Sequence, residues 1–201
     1  MKSVKKSPLT LLPSQLELVR PPAPGRVELV RRFLNTRDLE RSTDEIATPE
    51  GLQAWLREYR LIDRRVRLGA EDVRSAAAVR EAIRGLAARN NGLLLASDDA
   101  VLQETARRAR LGLTFDKSGR SELIAAADGI DGALGSILAA VHDGQLDGSW
   151  SRLKACADEG CLWAYYDHSK NGCSRWCSAE TCGNRNKVKR FRERQAQAAA
   201  D

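Results

Sequence analysis

The chain of 201 residues carries 33 basic and 27 acidic side chains, a formal net charge of +6, and 42% hydrophobic residues. This hydrophobic share argues against a disordered chain, and no apolar run reaches the ~18 residues that a membrane-spanning helix needs. The length is that of one domain, or of one domain followed by a small module.

Residues 1–24 are predicted to form a tail or arm. The sequence Pro21-Pro22-Ala23-Pro24 continues neither a helix nor a central strand. The apolar run between Pro8 and Pro13 is only Leu9–Leu12, whereas a secretion signal needs about 7–15 apolar residues. We therefore expect no signal peptide and a cytoplasmic protein without a membrane partner.

The next part of the chain is predicted to be mainly helical, because its apolar residues recur at helical spacing. A first helix carries Val27, Val30 and Leu34 on one face. A second begins at Thr48-Pro49-Glu50, where a capping hydroxyl is followed by proline and an acid. The later helices are expected over residues 71–90, from Ser97-Asp98-Asp99 through Ala106, and over 130–142.

One β-hairpin interrupts these helices. Leu111–Phe115 alternates in the manner of a strand, a turn follows at Asp116-Lys117-Ser118-Gly119, and Leu123–Ala125 can return beside the first strand. The predicted fold class is therefore mainly α (α+β), with a helical domain over residues 25–147. We expect no enzyme, because this domain shows no nucleophile–base pair, phosphate-binding glycine loop or paired carboxylates. His142 is interpreted as a solvated residue at a helix end.

Residues 148–201 differ sharply in composition from the body that precedes them. All five cysteines lie between positions 156 and 182, and six of the ten aromatic residues follow position 149. Six basic residues and one acid lie between Gly183 and Arg194, a local net charge of +5, which leaves +1 for the rest of the chain. These residues are predicted to form a separate small module.

Four of the cysteines form a two-pair pattern that is typical of a zinc site. The pattern is Cys156-x4-Cys161, then fifteen residues, then Cys177-x4-Cys182. Structural zinc sites draw two thiolates from each of two short segments, and four thiolates leave no position for a reactive water. A reducing compartment and an odd number of cysteines both favour metal over disulfides. We expect one structural Zn²⁺ held by Cys156, Cys161, Cys177 and Cys182.

Cys173 is the fifth thiol, and its spacing leaves an alternative open. It lies four residues before Cys177 and so competes with Cys182 as the partner of that residue. We prefer the pair Cys177/Cys182 because it repeats the spacing of Cys156/Cys161. Cys173 is then a spare thiol.

The basic residues after Cys182 are predicted to form a nucleic-acid-binding helix. Val188 and Phe191 are spaced to dock on the zinc module, and two basic flanks lie beside them. A positive rod fixed to a zinc site suits the major groove of DNA and its phosphates. Arg175 can add a phosphate contact, while the aromatic residues are interpreted as the core of the module rather than as base-stacking groups. The predicted contacts are Arg175, Arg185, Lys187, Lys189, Arg190, Arg192 and Arg194.

The segment from Cys156 through Trp163 and Tyr165-Tyr166 to Cys177 and Cys182-Gly183-Asn184-Arg185 closely resembles the CGNR zinc finger, which is named for that tetrapeptide. Residues 25–147 resemble the ABATE domain that precedes this finger, at Phe33–Thr36, Thr48–Leu52 and Val79–Arg84. The resemblance implies that the same four cysteines bind zinc. It also implies a bacterial stress-linked transcription regulator.

Two interpretations of the function remain open at this stage. In the first, the finger binds DNA through its basic helix, while the helical domain forms a homodimer or senses a small-molecule effector. In the second, zinc stabilises a module that binds a protein or RNA, without sequence-specific DNA binding.

Overall fold

The computed structural model describes residues 21–95 and 97–198. Within them the chain forms six α-helices and three antiparallel hairpins. The helices are α1 (Val27–Leu34), α2 (Pro49–Glu58), α3 (Ala70–Arg89), α4 (Asp99–Arg108), α5 (Gly129–Leu146) and α6 (Asn184–Ala198). The hairpins pair β1 (Arg37–Asp38) with β2 (Thr43–Asp44), β3 (Leu111–Phe115) with β4 (Ser121–Ala125), and β5 (Leu153–Ala155) with β6 (Ala164–Tyr166).

The mainly α fold class with small β elements is confirmed, but the expectation of a single hairpin is wrong. Only the hairpin β3–β4 was predicted. The strands of β1–β2 and β5–β6 are two or three residues long, which is too short to show an alternating pattern. Of the predicted tail at residues 1–24, residues 1–20 lie outside the described part of the chain.

The starts of two helices follow from their capping residues. Thr48 accepts a hydrogen bond from the backbone N–H of Gly51 at 3.1 Å, and Pro49 opens α2. Asp98 accepts from the N–H groups of Ala100 and Val101 and so begins α4. Each side chain satisfies donors that the first helical turn leaves without an intrahelical partner.

Helices α1, α3 and α5 supply most of the main core. Phe33, Leu34, Ile83 and Ile137 are completely buried between these helices. Gly135 allows α5 to pack closely against the hairpin β3–β4, because a Cβ atom at this position would collide with Ala109 and Ala125. None of the helices that the structure describes is both long and apolar enough to cross a membrane.

The third hairpin joins this core although it lies after residue 148. Leu153 of β5 and Ala164 of β6 are completely buried with the residues of α1, α3 and α5. Asn35, just after α1, donates to the carbonyl oxygen of Ala164 and accepts from its N–H, both at 2.8 Å. Asn91, just after α3, donates to the carbonyl oxygens of Ala155 at 2.8 Å and Arg175 at 2.7 Å. The cysteine-containing segment is therefore held directly against the helical body.

Candidate metal centre

Four cysteines converge beside β5 and β6 in a second, smaller core. Cys156, Cys161, Cys177 and Cys182 are all buried, and their four sulfur atoms lie within 4.8 Å of one another. Trp163 and Tyr165 are buried against them, and Trp176 is half-buried at their side. Cys173 is exposed and stands apart from the group.

The distances between these sulfurs fit a tetrahedral metal site. The Sγ of Cys177 lies 3.7 Å from that of Cys161 and 3.6 Å from that of Cys182. Both separations are far longer than the ~2.05 Å of a disulfide bond. With four Zn–S bonds of ~2.3 Å, the sulfurs at the corners of a tetrahedron are about 3.8 Å apart. The donor set therefore fits a zinc ion in size as well as in chemistry.

The first pair of cysteines is presented by a turn built around Asp158. The Asp158 carbonyl oxygen accepts from the N–H of Cys161 at 2.9 Å, and its carboxylate accepts from the N–H of Gly160 at 3.1 Å. Leu162 follows in a left-handed conformation with φ of +48°, which is uncommon for a residue other than glycine. Arg84 of α3 donates to the carbonyl oxygen of Leu162 at 2.9 Å and thereby supports this turn from the body.

The second pair flanks the start of a single wide helical turn over Ala179–Gly183, because Cys177 lies just before the capping residue Ser178 and Cys182 lies within the turn. The Ser178 hydroxyl accepts from the N–H of Thr181 at 3.1 Å, and its carbonyl oxygen accepts from the N–H of Gly183 at 2.9 Å. Cys182 lies in this turn, and α6 begins at Asn184. The last cysteine and the basic helix are therefore one continuous piece of backbone.

Several groups favour negative charge on the sulfurs. The N–H of Cys177 donates to the Sγ of Cys156 at 3.5 Å, and Arg185 donates to the Sγ of Cys182 at 3.2 Å. The hydrogen bonds of the Cys156 sulfur act in the opposite direction on Cys161 and Cys177, because they raise the pKa of both thiols and so oppose a charge there. Four thiolates at this spacing therefore need a cation among them, which a divalent metal supplies.

The loop between the two pairs is fixed by a buried ion pair. Lys154 of β5 donates to the carboxylate of Asp167 at 2.8 Å, and both residues are buried. Asp167 also accepts from the N–H groups of Ser169 and Ser174. Burial alone would raise the pKa of Asp167, but the hydrogen bonds from Lys154 and Ser169 outweigh it and hold this pKa below its ordinary range. Asp167 thus braces the loop between the two pairs of cysteines.

The predicted nucleic-acid contacts fall into two groups. Six of the seven side chains lie on the surface without a described ion pair; these are Arg175, Lys187, Lys189, Arg190, Arg192 and Arg194. Arg185 instead donates to Asp158 at 2.7 Å and to Glu40. It connects the start of α6 to the metal centre and to the loop between β1 and β2.

The expected docking of Val188 and Phe191 is wrong. These side chains are 48% and 54% exposed, and no residue of α6 is buried. The helix is attached by polar groups at its first turn instead, where Asn186 donates to Asp158 at 2.8 Å and Arg185 binds its acidic partners. Asp158 could have been identified from the sequence as a structural residue, because it is an acid in the turn between two cysteines. Glu40 could not have been identified as a partner of Arg185, because the two residues lie 145 positions apart.

Comparison with known protein families finds two matches along the chain. Residues 152–195 match the model of the CGNR zinc finger. Residues 28–146 match the model of the ABATE family, whose description reads "putative stress-induced transcription regulator". The comparison with curated proteins finds no match.

Proposed function

Because the chain belongs to the ABATE family and ends in a CGNR zinc finger, we propose that it is a transcription regulator that binds DNA through α6. The observation that carries this proposal is the position of α6, which begins two residues after Cys182 in the four-cysteine group. A metal at that group fixes the start of a helix whose basic side chains are exposed.

We assign one structural zinc ion to the four cysteines. Four thiolates fill the tetrahedral positions of zinc and leave none for water or substrate. Within residues 21–95 and 97–198, this is the one group of at least three His, Cys, Asp or Glu placed to share an ion. The proposal therefore gives the metal a folding role and gives the chain a binding role rather than a catalytic one.

The charge on α6 supplies the attraction to DNA. The helix carries six basic residues and one acidic residue. Its fifteen residues form a rod of about 22 Å, and the major groove of B-DNA, about 12 Å wide, admits an α-helix. Binding that rests on phosphate contacts weakens with salt, by a logarithmic slope of roughly 0.9 for each phosphate neutralised.

The helical body is assigned the second task, which is to form a homodimer or to bind a small effector. Leu113 and Phe115 on β3 are 64% and 66% exposed, and such an exposed apolar strand favours contact with another protein surface. A cavity of about 730 Å³ lies between this hairpin and the end of α5, and Arg26 and Asp143 line it. Sedimentation of the intact protein with and without Leu113→Asp tests dimerisation directly.

A gel-shift titration with fragmented genomic DNA at low salt tests DNA binding. The double variant Arg190→Glu/Arg192→Glu reverses two exposed charges of α6, and we expect its affinity to fall by about tenfold or more. The matched control, Arg64→Glu/Arg65→Glu, makes the same change of charge at two exposed residues that follow α2. Equal binding by all three proteins, or capture of one protein partner that survives nuclease treatment while DNA is not bound, would refute the proposal.

A further inference from the structure

One face of α6 carries exposed apolar residues that take no part in attaching the helix to the protein. Arg185 and Asn186 bind Asp158, so the side of the helix that carries them faces the finger. Val188 and Phe191 follow at i and i+3 of one another on a different side. They are two of the seven large hydrophobic side chains that are exposed within residues 21–95 and 97–198.

Uncharged residues continue along this outer face. Gln195 lies four residues after Phe191 and seven after Val188, which places the three side chains in one line along the helix. We call Val188, Phe191 and Gln195 the outer stripe. All three are exposed, and the stripe carries no charge.

Basic residues lie on both sides of the outer stripe. At about 100° per residue, Lys189 and Arg192 lie on one flank, and Lys187, Arg190 and Arg194 lie on the other. A helix in the major groove meets base edges along its centre and a phosphate strand on each side. Across α6, a row of basic side chains, the apolar stripe and a second row of basic side chains follow one another, which matches that arrangement.

On the basis of the DNA binding proposed above, we infer that Val188 and Phe191 contact the 5-methyl groups of thymine in the major groove and give α6 a preference for A·T base pairs. Thymine is the one DNA base that presents a methyl group in this groove, and apolar side chains are its usual partners. The flanking lysines and arginines bind phosphates and carry no sequence information themselves.

Charge favours DNA over a second copy of α6 as the partner of the outer stripe. A second copy of α6 would bring two helices, each with six basic residues and one acid, side by side. Like charges at such an interface oppose association. The phosphates of a duplex have the opposite sign and are spaced on both sides of the groove.

The test measures binding of the full-length, zinc-loaded protein to two pools of fluorescent duplexes. Both pools carry the same random A·T sequences, and one contains uracil in place of thymine. Uracil keeps the pairing and the hydrogen-bonding groups of thymine and lacks only its methyl group. We expect the uracil pool to bind more weakly, by about fourfold for each methyl group contacted.

The double variant Val188→Ala/Phe191→Ala should bind the two pools equally. Because both side chains are half-exposed, this variant is expected to keep its fold and its zinc, which circular dichroism and metal analysis check. The matched control is Gln197→Ala, on the opposite side of α6, and it should keep the preference for thymine. Equal binding of both pools by the wild-type protein, or a preference that survives in the double variant, overturns this inference and leaves DNA binding intact. Binding of neither pool at low salt refutes the proposed function itself.

Discussion

Arg185 shows how a single residue can serve a metal centre without binding the metal. It donates to the Cys182 sulfur at 3.2 Å, to Asp158 at 2.7 Å and to Glu40. Hydrogen bonds to a thiolate stabilise its charged form, and the carboxylates hold the guanidinium in place. A residue that the sequence suggested for DNA contact therefore also positions the last of the four cysteines.

Replacement of Arg185 should weaken metal binding. We expect Arg185→Gln to lower the zinc affinity by about 10–100-fold, because loss of a group that supports a metal ligand has an effect of this size. Competition with a chromogenic chelator measures the affinity. Arg192→Gln, an exposed position on the same helix, should leave it unchanged, and equal affinities in all three proteins would contradict a supporting role for Arg185.

The choice between Cys182 and Cys173 as the fourth thiol can be settled by serine variants. Cys182 is buried with the other three sulfurs, whereas Cys173 is exposed. We expect about one zinc ion per chain in the wild-type protein and in Cys173→Ser, because four ligands saturate the ion. Cys182→Ser should lose the metal. Elemental analysis of the purified proteins measures the stoichiometry, and full zinc content in Cys182→Ser would exclude this set of four ligands.

At the scale of elements, the sequence predicted the helices that apolar periodicity and capping residues mark. The helices around Val27–Leu34 and Thr48-Pro49 are found because their apolar spacing and first-turn residues are local signals. The spacing of four cysteines likewise pointed to a metal site. The strands β5 and β6 were missed because three-residue strands depend on packing against α1 and α3, and such distant contacts leave no local pattern.

The prediction of how α6 attaches to the protein was wrong because a local pattern was present but misleading. An apolar pair at helical spacing indicates burial in most helices. Here a polar contact at the first turn, with a partner as distant as Glu40, decides which side faces the protein. The sequence contains both residues but not their proximity.

The ion pair between α3 and the hairpin β1–β2 should make stability depend on pH. Arg80 is 1% exposed and donates to the Asp44 carboxylate at 2.8 and 2.6 Å. Burial alone would raise the pKa of Asp44, but the hydrogen bond and the positive charge of Arg80, together with the hydrogen bond from the N–H of Ile46, outweigh it and lower that pKa. We expect Asp44→Asn to reduce the free energy of unfolding at pH 7 by about 2 kcal/mol, the value of a hydrogen bond to a charged group.

Because the folded pKa of Asp44 is lowered, the difference in the free energy of unfolding between the wild type and Asp44→Asn should shrink as the pH falls. The stabilisation is fully present above the ordinary aspartate pKa of about 3.9 and is lost as the pH falls through the lower folded value. Urea titrations of both proteins should therefore differ equally at pH 7 and pH 5, begin to converge below about pH 4, and agree only below the lowered folded pKa. Glu58→Gln, at the exposed end of α2, is the control and should stay within about 0.5 kcal/mol of the wild type. A difference that grows on acidification would contradict the pairing.

At the scale of the whole molecule, the finger is built on the body rather than tethered to it. Leu153 and Ala164 belong to the main core, and Asn35, Arg84 and Asn91 bind backbone groups of the cysteine-containing segment. A metal at the four cysteines would therefore stabilise only the outer part of this segment. The inner hairpin β5–β6 is stabilised by apolar burial that needs no metal.

Removal of the metal should separate these two contributions. With a strong chelator, we expect amide protection to be lost over residues 156–163 and 172–183, because the metal supplies the folding free energy of those turns. Helices α1, α3 and α5 should stay protected, and so should β5 and β6, because Leu153 and Ala164 of these strands are buried in the main core. Hydrogen exchange read by mass spectrometry resolves these segments. The chelator should change nothing more in Cys182→Ser, which serves as the control, whereas loss of protection in α3 along with the turns would show that the body too depends on the metal.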